Sequence, residues 1–398
     1  MSKLPDVGTT IFTVMSRRAT EQGAVNVGQG FPDYPIDPDL AACVTDAVRA
    51  GFNQYAPMEG NAALRAAIAA KIASGGGRQV DPETELTISC GGTESIFSAI
   101  QAVVAAGDEA MVFDPAYDSY DPAIRLAGGR CIHIPLEAPH FRYDWDRVQR
   151  AITDRTRMII INNPHNPATS VATSGDLNTL AELTRDRPVT VLADEVYEHV
   201  LYDGRVHQSV MNHAELRSRS FAVYSFGKTL HITGWRVGYC VAPPELTREL
   251  RKVHQFNAFS IAAPLQEAIR LYLERHPDAW RSVGGFFSAK RDLLRAQLAD
   301  SGLVMPPAQG SYFQLADYSA LDRSLADCDD VEFTERLIND AGVAVIPLSP
   351  FYREPPPRMR IVRLCVAKRD ETLAEAGRRI SAYTRAGAPR RSGRETSA

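Results

Sequence analysis

Lys228 closes the apolar run Phe221-Ala222-Val223-Tyr224 through Ser225-Phe226-Gly227, and Arg236 follows eight residues later in Gly234-Trp235-Arg236. An amine held at the end of a core strand can form a Schiff base with an aldehyde. The Ser225 hydroxyl and the Arg236 guanidinium supply a donor and a fixed charge for a phosphate on the same molecule. Alone, a lysine beside a glycine reads as a surface turn; four other segments argue against that reading. Thr87-Ile88-Ser89 is a short strand running into Gly91-Gly92-Thr93, after which Ile96, Phe97, Ile100, Val103 and Val104 recur at helical spacing. A glycine turn that opens a helix offers free N–H groups and the positive dipole end to a phosphate. Met158-Ile159-Ile160-Ile161-Asn162 reads as a buried strand ending in Asn163-Pro164-His165-Asn166-Pro167. The two prolines stiffen that loop, so the Asn166 amide can donate to a phenolic oxygen of a bound ring. In Val189-Thr190-Val191-Leu192-Ala193-Asp194-Glu195-Val196-Tyr197 a carboxylate ends a core strand, where it can pair with a protonated ring nitrogen. Tyr197 can reach the ring's phenolic oxygen; a helix N-cap for Asp194 and plain packing for Tyr197 are the alternatives. In Met359-Arg360-Ile361-Val362-Arg363-Leu364-Cys365-Val366 alternation sets Arg363 among apolar neighbours. Its planar fork can take a carboxylate through two hydrogen bonds, or close a structural salt bridge.

The elements that must position these groups alternate strand and helix without an internal repeat. Strands are expected near 86–89, 110–113, 131–134, 158–162, 189–193, 221–225 and 237–242, mostly with helical stretches between. Asp37-Pro38 reads as an N-cap and first helical position, and Leu64, Ile68 and Ile72 mark a second helix stripe. This pattern argues an α/β core around a mostly parallel seven-stranded sheet with helices on both faces. Only eleven residues join the last two strands, too few for a helical crossover, so these two should be antiparallel neighbours. Near residue 285 the rhythm changes, and Gly310-Ser311-Tyr312-Phe313 starts a smaller α+β unit. The expected division is an arm at 1–35 joining the small unit, a large domain at 36–285, a small domain at 286–387 and a disordered tail at 388–398.

Composition narrows the class. A chain of 398 residues, 44% hydrophobic, can bury a large core in two domains. Its net charge of −4 with intermixed signs implies no nucleic-acid or membrane patch. The six cysteines are scattered without a CxxC pair, and the nine histidines show no HExxH spacing, so neither a disulfide frame nor a metal site is expected. No run approaches membrane-spanning length and no basic-then-apolar leader opens the chain, which together lead us to expect a cytoplasmic protein.

Lys228 with Gly234-Trp235-Arg236, Asn166-Pro167, Asp194 to Tyr197 and Arg363, in this order and spacing, resemble the signature set of class I/II aminotransferases of fold type I. The resemblance runs from about residue 10 to about residue 385. Val27-Gly28-Gln29-Gly30-Phe31-Pro32-Asp33, Asn53-Gln54-Tyr55-Ala56-Pro57, Phe113-Asp114-Pro115-Ala116-Tyr117-Asp118-Ser119-Tyr120 and Val253-His254-Gln255-Phe256 are similar to the kynurenine and methionine aminotransferase branch. Ala168-Thr169 departs from many relatives, which carry a glycine soon after the proline. The resemblance implies pyridoxal 5′-phosphate as cofactor, with Lys228 as Schiff-base lysine and proton shuttle. It implies Asp194 at the ring nitrogen, Tyr197 and Asn166 at the phenolic oxygen, and Tyr117 on the ring face. Gly92, Thr93, Ser225 and Arg236 would hold the phosphate, with Tyr55 reaching in from a partner subunit. Arg363, Asn166 and the Gly30 backbone would bind the substrate carboxylate. Phe12 and Phe259 align with aromatic pocket positions, the latter donated across a homodimer with shared active sites. The implied reaction moves an amino group from a large neutral, sulfur-containing or aromatic α-amino acid to a 2-oxo acid by a ping-pong cycle. The alternative is a β-lyase acting on cysteine conjugates on the same scaffold. More remote is a ligand-sensing transcription regulator, which needs a DNA-binding module ahead of the domain; Gly28-Gln29-Gly30 arrives too early to leave room for one.

Overall fold

The apolar runs at 109–114, 156–162, 190–194 and 220–225 lack polar alternation, as strands covered on both faces must. In the computed structural model, which describes residues 2–386, they lie side by side in one seven-stranded sheet. The tail at 388–398 lies outside the described residues. The strand order is Leu86–Ser89, Gly238–Val241, Ser220–Ser225, Thr190–Asp194, Thr156–Asn162, Glu109–Asp114 and Arg130–Pro135. Only Gly238–Val241 runs against its neighbours, as its short connection to Ser220–Ser225 requires. Successive residues face opposite layers. Val112, Ile160, Leu192 and Val223 pack with Ile96 and Ile100 of the helix Gly91–Val103. Met111, Ile159, Val191 and Ala222 share the other core with Leu64, Ile68 and Ile269. Each such large side chain stabilises the fold by roughly 1.5–3 kcal/mol.

The helices begin where the local chemistry permits. Pro38–Arg49 follows Asp37, whose carboxylate accepts the Asp39 N–H, and Ala62–Ser74 follows Asn61, which caps Ala63 and Leu64. Lys228 does not sit at the strand's end as the apolar run suggests. Phe226–Thr229 winds into a single helical turn, closed by Leu230 N–H to the Phe226 carbonyl at 2.8 Å.

A second, antiparallel sheet is formed by Ile346–Pro347, Ile361–Cys365 and Phe313–Asp317, in that order. It shares a core with the helices Val283–Gln297, which passes through residue 285, and Asp370–Ala386. The two-residue strand Val25–Asn26 pairs in parallel with Val343–Ala344, and the Val27 carbonyl accepts the Cys365 N–H at 2.6 Å. The N-terminal segment is thereby stitched to the strand that carries Arg363. Among the described residues no helix is long and apolar enough to cross a membrane.

Candidate active site

The strands Thr156–Asn162, Thr190–Asp194 and Ser220–Ser225 run parallel, so their carboxyl ends open on one edge of the sheet, where ligands of such folds bind. A cavity of about 340 Å³ lies there, lined by Gly92, Thr93, Tyr117, Asn166, Asp194, Tyr197, Ser225, Lys228 and Arg236. Nine residues expected from sequence thus meet in one place.

Their environments set what they can do. Asp194 is 4% exposed, and burial pushes its carboxyl up to about 6. The Tyr120 hydroxyl opposes that shift by donating to Oδ2 at 2.6 Å, and the Val196 N–H lies 3.4 Å from Oδ1. No helix follows Asp194, so the N-cap alternative is not realised. Burial also draws the Lys228 amine down to about 8, close to where a proton-transfer group works at neutral pH. The aspartate's neighbours turn to the other face and hold the segment there. Glu195 accepts from the Val210 N–H at 2.9 Å and the Tyr224 hydroxyl at 2.7 Å, with His207 Nε2 at 3.1 Å, while Glu198 pairs with Lys71 at 2.8 Å. Asp194 is clamped from behind.

At the other end of the cavity the helix Gly91–Val103 begins without a side-chain cap, leaving its first N–H groups available. Gly91 has φ +72°, and a Cβ there would come within 2.6 Å of Arg236 Nη2. The exposed Arg236 and Thr93 therefore flank a backbone that only glycine fits closely. Thr93 Oγ1 lies 3.3 Å from the Tyr117 hydroxyl.

Arg363 is 1% exposed and, among the described residues, makes no ion pair, so the salt-bridge alternative fails. Nη1 donates to Asn166 Oδ1 at 2.7 Å and Nη2 to the Gly28 carbonyl at 3.1 Å, while Nε has no partner among the described residues. The first bond fixes the Asn166 amide so that its NH₂ remains to donate. The guanidinium stacks 3.9 Å over the Phe313 ring, with Phe12 and Phe351 at 5.1 and 5.2 Å. Burial draws its pKa down to about 10, so it stays a cation that needs an anion.

Gly30 lies against the Phe313 ring, and its carbonyl accepts from the Tyr312 hydroxyl. Tyr55 and Phe259 are not at the cavity of this chain. They are 85% and 47% exposed and meet edge to face at 5.4 Å. The sequence reading missed Tyr120, Tyr312, Phe313 and Phe351. Tyr120, Tyr312 and Phe313 stand inside segments already singled out, whereas Phe351 stands in none, and only their side-chain directions show what they touch. A further cluster brings Asp121, Cys131 and His133 within 4.8 Å of one another. His133 Nδ1 is 2.9 Å from Asp114 Oδ1 and Nε2 is 3.7 Å from Asp121 Oδ1.

The cavity suits an anionic aromatic aldehyde. It offers an amine, a buried carboxylate opposite, an uncapped helix start beside a guanidinium, and close by a buried arginine with an unpartnered Nε. The model of the family "Aminotransferase class I and II" matches residues 23–380. Methionine aminotransferase of Escherichia coli strain K12 is 45% identical, over 95% of this chain and 97% of its own. Kynurenine–oxoglutarate transaminase 1 of Homo sapiens is 31% identical, over 89% and 91% of the two chains. Among solved structures, Escherichia coli YbdL, identified with a methionine aminotransferase function, superposes with a TM-score of 0.93 at 44% identity, covering 96% of this chain and 99% of that one. Thermus thermophilus aspartate aminotransferase (single mutant 1) superposes with a TM-score of 0.86 at 29% identity, covering 96% and 98%. With cavity, fold and relatives in agreement, this chain belongs to the class I and II aminotransferases, pyridoxal-phosphate-dependent transaminases of fold type I.

Proposed function

We propose that the enzyme takes its amino group from large neutral α-amino acids, methionine-like or aromatic, and passes it to a 2-oxo acid in a ping-pong cycle. The observation that carries this reading is Arg363: a buried guanidinium with no ion pair among the described residues, walled by Phe12, Phe313 and Phe351. The fork would take the carboxylate common to every substrate, and the rings would surround an apolar side chain. The names of the methionine and kynurenine relatives support the same substrate class.

When bound, pyridoxal phosphate supplies an electron-withdrawing ring that stabilises negative charge at the substrate α-carbon. In this reading Asp194 holds a proton on the ring nitrogen, and Asn166 and Tyr197 face the phenolic oxygen. Tyr117 covers the ring, and Gly92, Thr93, Ser225 and Arg236 hold the phosphate. Lys228 carries the cofactor and then moves the α-proton with its Nζ. The Gly30 backbone joins Arg363 and Asn166 at the carboxylate. Tyr55 and Phe259, exposed together on one surface, would complete the site of a second copy in a cytoplasmic homodimer. We also propose a large domain at 36–285 and a small one at 286–387, with the arm at 1–35 joining the small domain.

The test is a screen of amino acids against the loaded enzyme, following loss of the aldehyde-form absorbance. Methionine and aromatic amino acids should react fastest. A clear preference for aspartate or glutamate would refute the substrate class, and pyruvate with ammonia released from cysteine conjugates without an oxo-acid acceptor would favour the β-lyase. Lys228→Ala should abolish turnover while cofactor still binds; full activity in that variant would remove the mechanism.

A further inference from the structure

We propose that Tyr312 is a positioning residue for Lys228, seating the lysine amine whenever it is free and tying it to the Gly30 carbonyl. The inference rests on the reading of Lys228 as the proton-moving lysine. Lys228 Nζ lies 2.5 Å from the Tyr312 hydroxyl, and that hydroxyl also contacts the Gly30 carbonyl oxygen. A phenol has one proton and a carbonyl can only accept, so the Tyr312 proton goes to Gly30 and its oxygen must accept from Lys228. The direction of the chain is therefore fixed: amine to phenol to carbonyl. A neutral Lys228 amine in this seat spends an N–H on Tyr312 and keeps its lone pair, the electrons that take a proton from substrate.

The seat is rigid. Tyr312 has no exposed surface, and its ring packs edge to face against Tyr197 and Phe313, each at 4.9 Å. Its backbone is held from both sides. The Tyr312 carbonyl accepts the Val366 N–H at 2.9 Å, the Ser311 N–H donates to the Val200 carbonyl at 2.9 Å, and the Ser311 carbonyl accepts from the Tyr202 hydroxyl at 2.7 Å. At Gly310 a Cβ would come within 2.7 Å of Pro164, so the approach of this segment to the Asn163–Pro167 loop depends on glycine. Tyr312 thus joins the amine on the helical turn Phe226–Thr229 to the Gly28–Gly30 segment beside Arg363. Lysine seating and the Arg363 fork both lean on one backbone segment, through the Gly30 and Gly28 carbonyls.

The experiment compares wild type with Tyr312→Phe, which keeps the ring and removes the oxygen. Each full-length enzyme is converted to the amino form of its cofactor, which leaves Lys228 free. Trace acetylation across a pH series, read at the Lys228 peptide by mass spectrometry, then gives the proton affinity of the amine. An accepted hydrogen bond favours the ammonium form, so Tyr312→Phe should lower that affinity by about ten- to a hundredfold. Cys365, Arg236, Asp194, Arg363 and the Tyr197 ring also face Lys228 and are untouched by the substitution. In single-turnover half-reactions with substrate deuterated at the α-carbon, proton abstraction should slow about tenfold with KM changed less than about threefold. A Lys228 proton affinity within about twofold of wild type would overturn the proposal. Borohydride reduction with peptide mapping separates the underlying reading: if wild type carries no cofactor on Lys228, the assignment of the lysine itself fails. A Tyr312→Phe protein that traps cofactor on Lys228 as wild type does has an intact site, and its acetylation profile then decides.

Discussion

Arg363→Lys keeps a positive charge where the substrate carboxylate is expected but removes the fork. The arginine donates from Nη1 and Nη2 to Asn166 and Gly28 and stacks 3.9 Å over Phe313, leaving Nε and the remaining N–H bonds for an incoming anion. A lysine ammonium has three donors from one point, and the Asn166 and Gly28 oxygens would compete with the substrate for them. A lost hydrogen bond to a charged group costs about 1.5–3 kcal/mol, and the lost stacking adds about 0.5–1 kcal/mol. At about 1.4 kcal/mol per decade, the sum of about 2–4 kcal/mol predicts a fall in kcat/KM of roughly 30- to 700-fold. Because the carboxylate is common to both half-reactions, the fall should be equal for methionine, phenylalanine, alanine and their oxo acids. Stopped-flow half-reactions with this panel give the ratio directly. Phe12→Ala should instead change the ranking of side chains and spare alanine, since Phe12 lies over the guanidinium as part of the aromatic wall. If Arg363→Lys reordered substrates and left the mean efficiency intact, the assignment of the carboxylate site would be wrong.

Tyr120→Phe removes the hydroxyl that donates to Asp194 at 2.6 Å. That bond favours the anion against burial, so the acid limb of the half-reaction profile should move to higher pH; an unmoved limb would mean that Tyr120 only packs. Gly91→Ala combines a positive φ with a Cβ 2.6 Å from Arg236 Nη2, so cofactor affinity measured by equilibrium dialysis should weaken about tenfold, whereas wild-type affinity would show that Arg236 moves freely aside. His133 gives a stability prediction. Burial opposes its charge, but the hydrogen bond to Asp114 and the carboxylate of Asp121 nearby outweigh it and push its pKa up to about 12, against about 6.5 for an unfolded histidine. A raised folded-state value means that the contribution is fully present below about pH 6.5 and is lost as pH rises toward 12. The stability gap between wild type and His133→Gln in urea unfolding should therefore be about 1–3 kcal/mol at pH 6 and narrower at pH 9; a gap that does not change with pH would show that the pair carries no net charge effect.

What the sequence made legible was whatever repeats at a short period or closes a run. Ile159 to Ile161 and Val191 to Ala193 could be read as buried strands because both sheet faces are covered. Asp194 and Asn166 were legible because each stands at or just beyond the end of such a run. Arg363 stood out as a cation inside an alternating apolar strand. Tyr312 and Tyr120 did not, because their partners Lys228 and Asp194 are 84 and 74 residues away and neither contact has a local period. The strands Val25–Asn26 and Ile346–Pro347 span two residues each, too few for alternation to register. The helical turn under Lys228 escaped notice for a similar reason: four residues cannot show a 3.6-residue repeat.

The stitching of Val25–Asn26 to Val343–Ala344, and of Val27 to Cys365, sets an order of events during synthesis. The seven strands of the large sheet all lie between residues 86 and 241, so they can pair as soon as that stretch has left the ribosome. The wall around Arg363 draws on Phe12 and Gly28 from the very start of the chain and on residues near its end. Those contacts must wait through nearly the whole of translation, and contacts of such long sequence separation form slowly. A nascent chain can therefore pair the strands that position Asp194, Asn166 and Lys228 well before it can assemble the wall around Arg363.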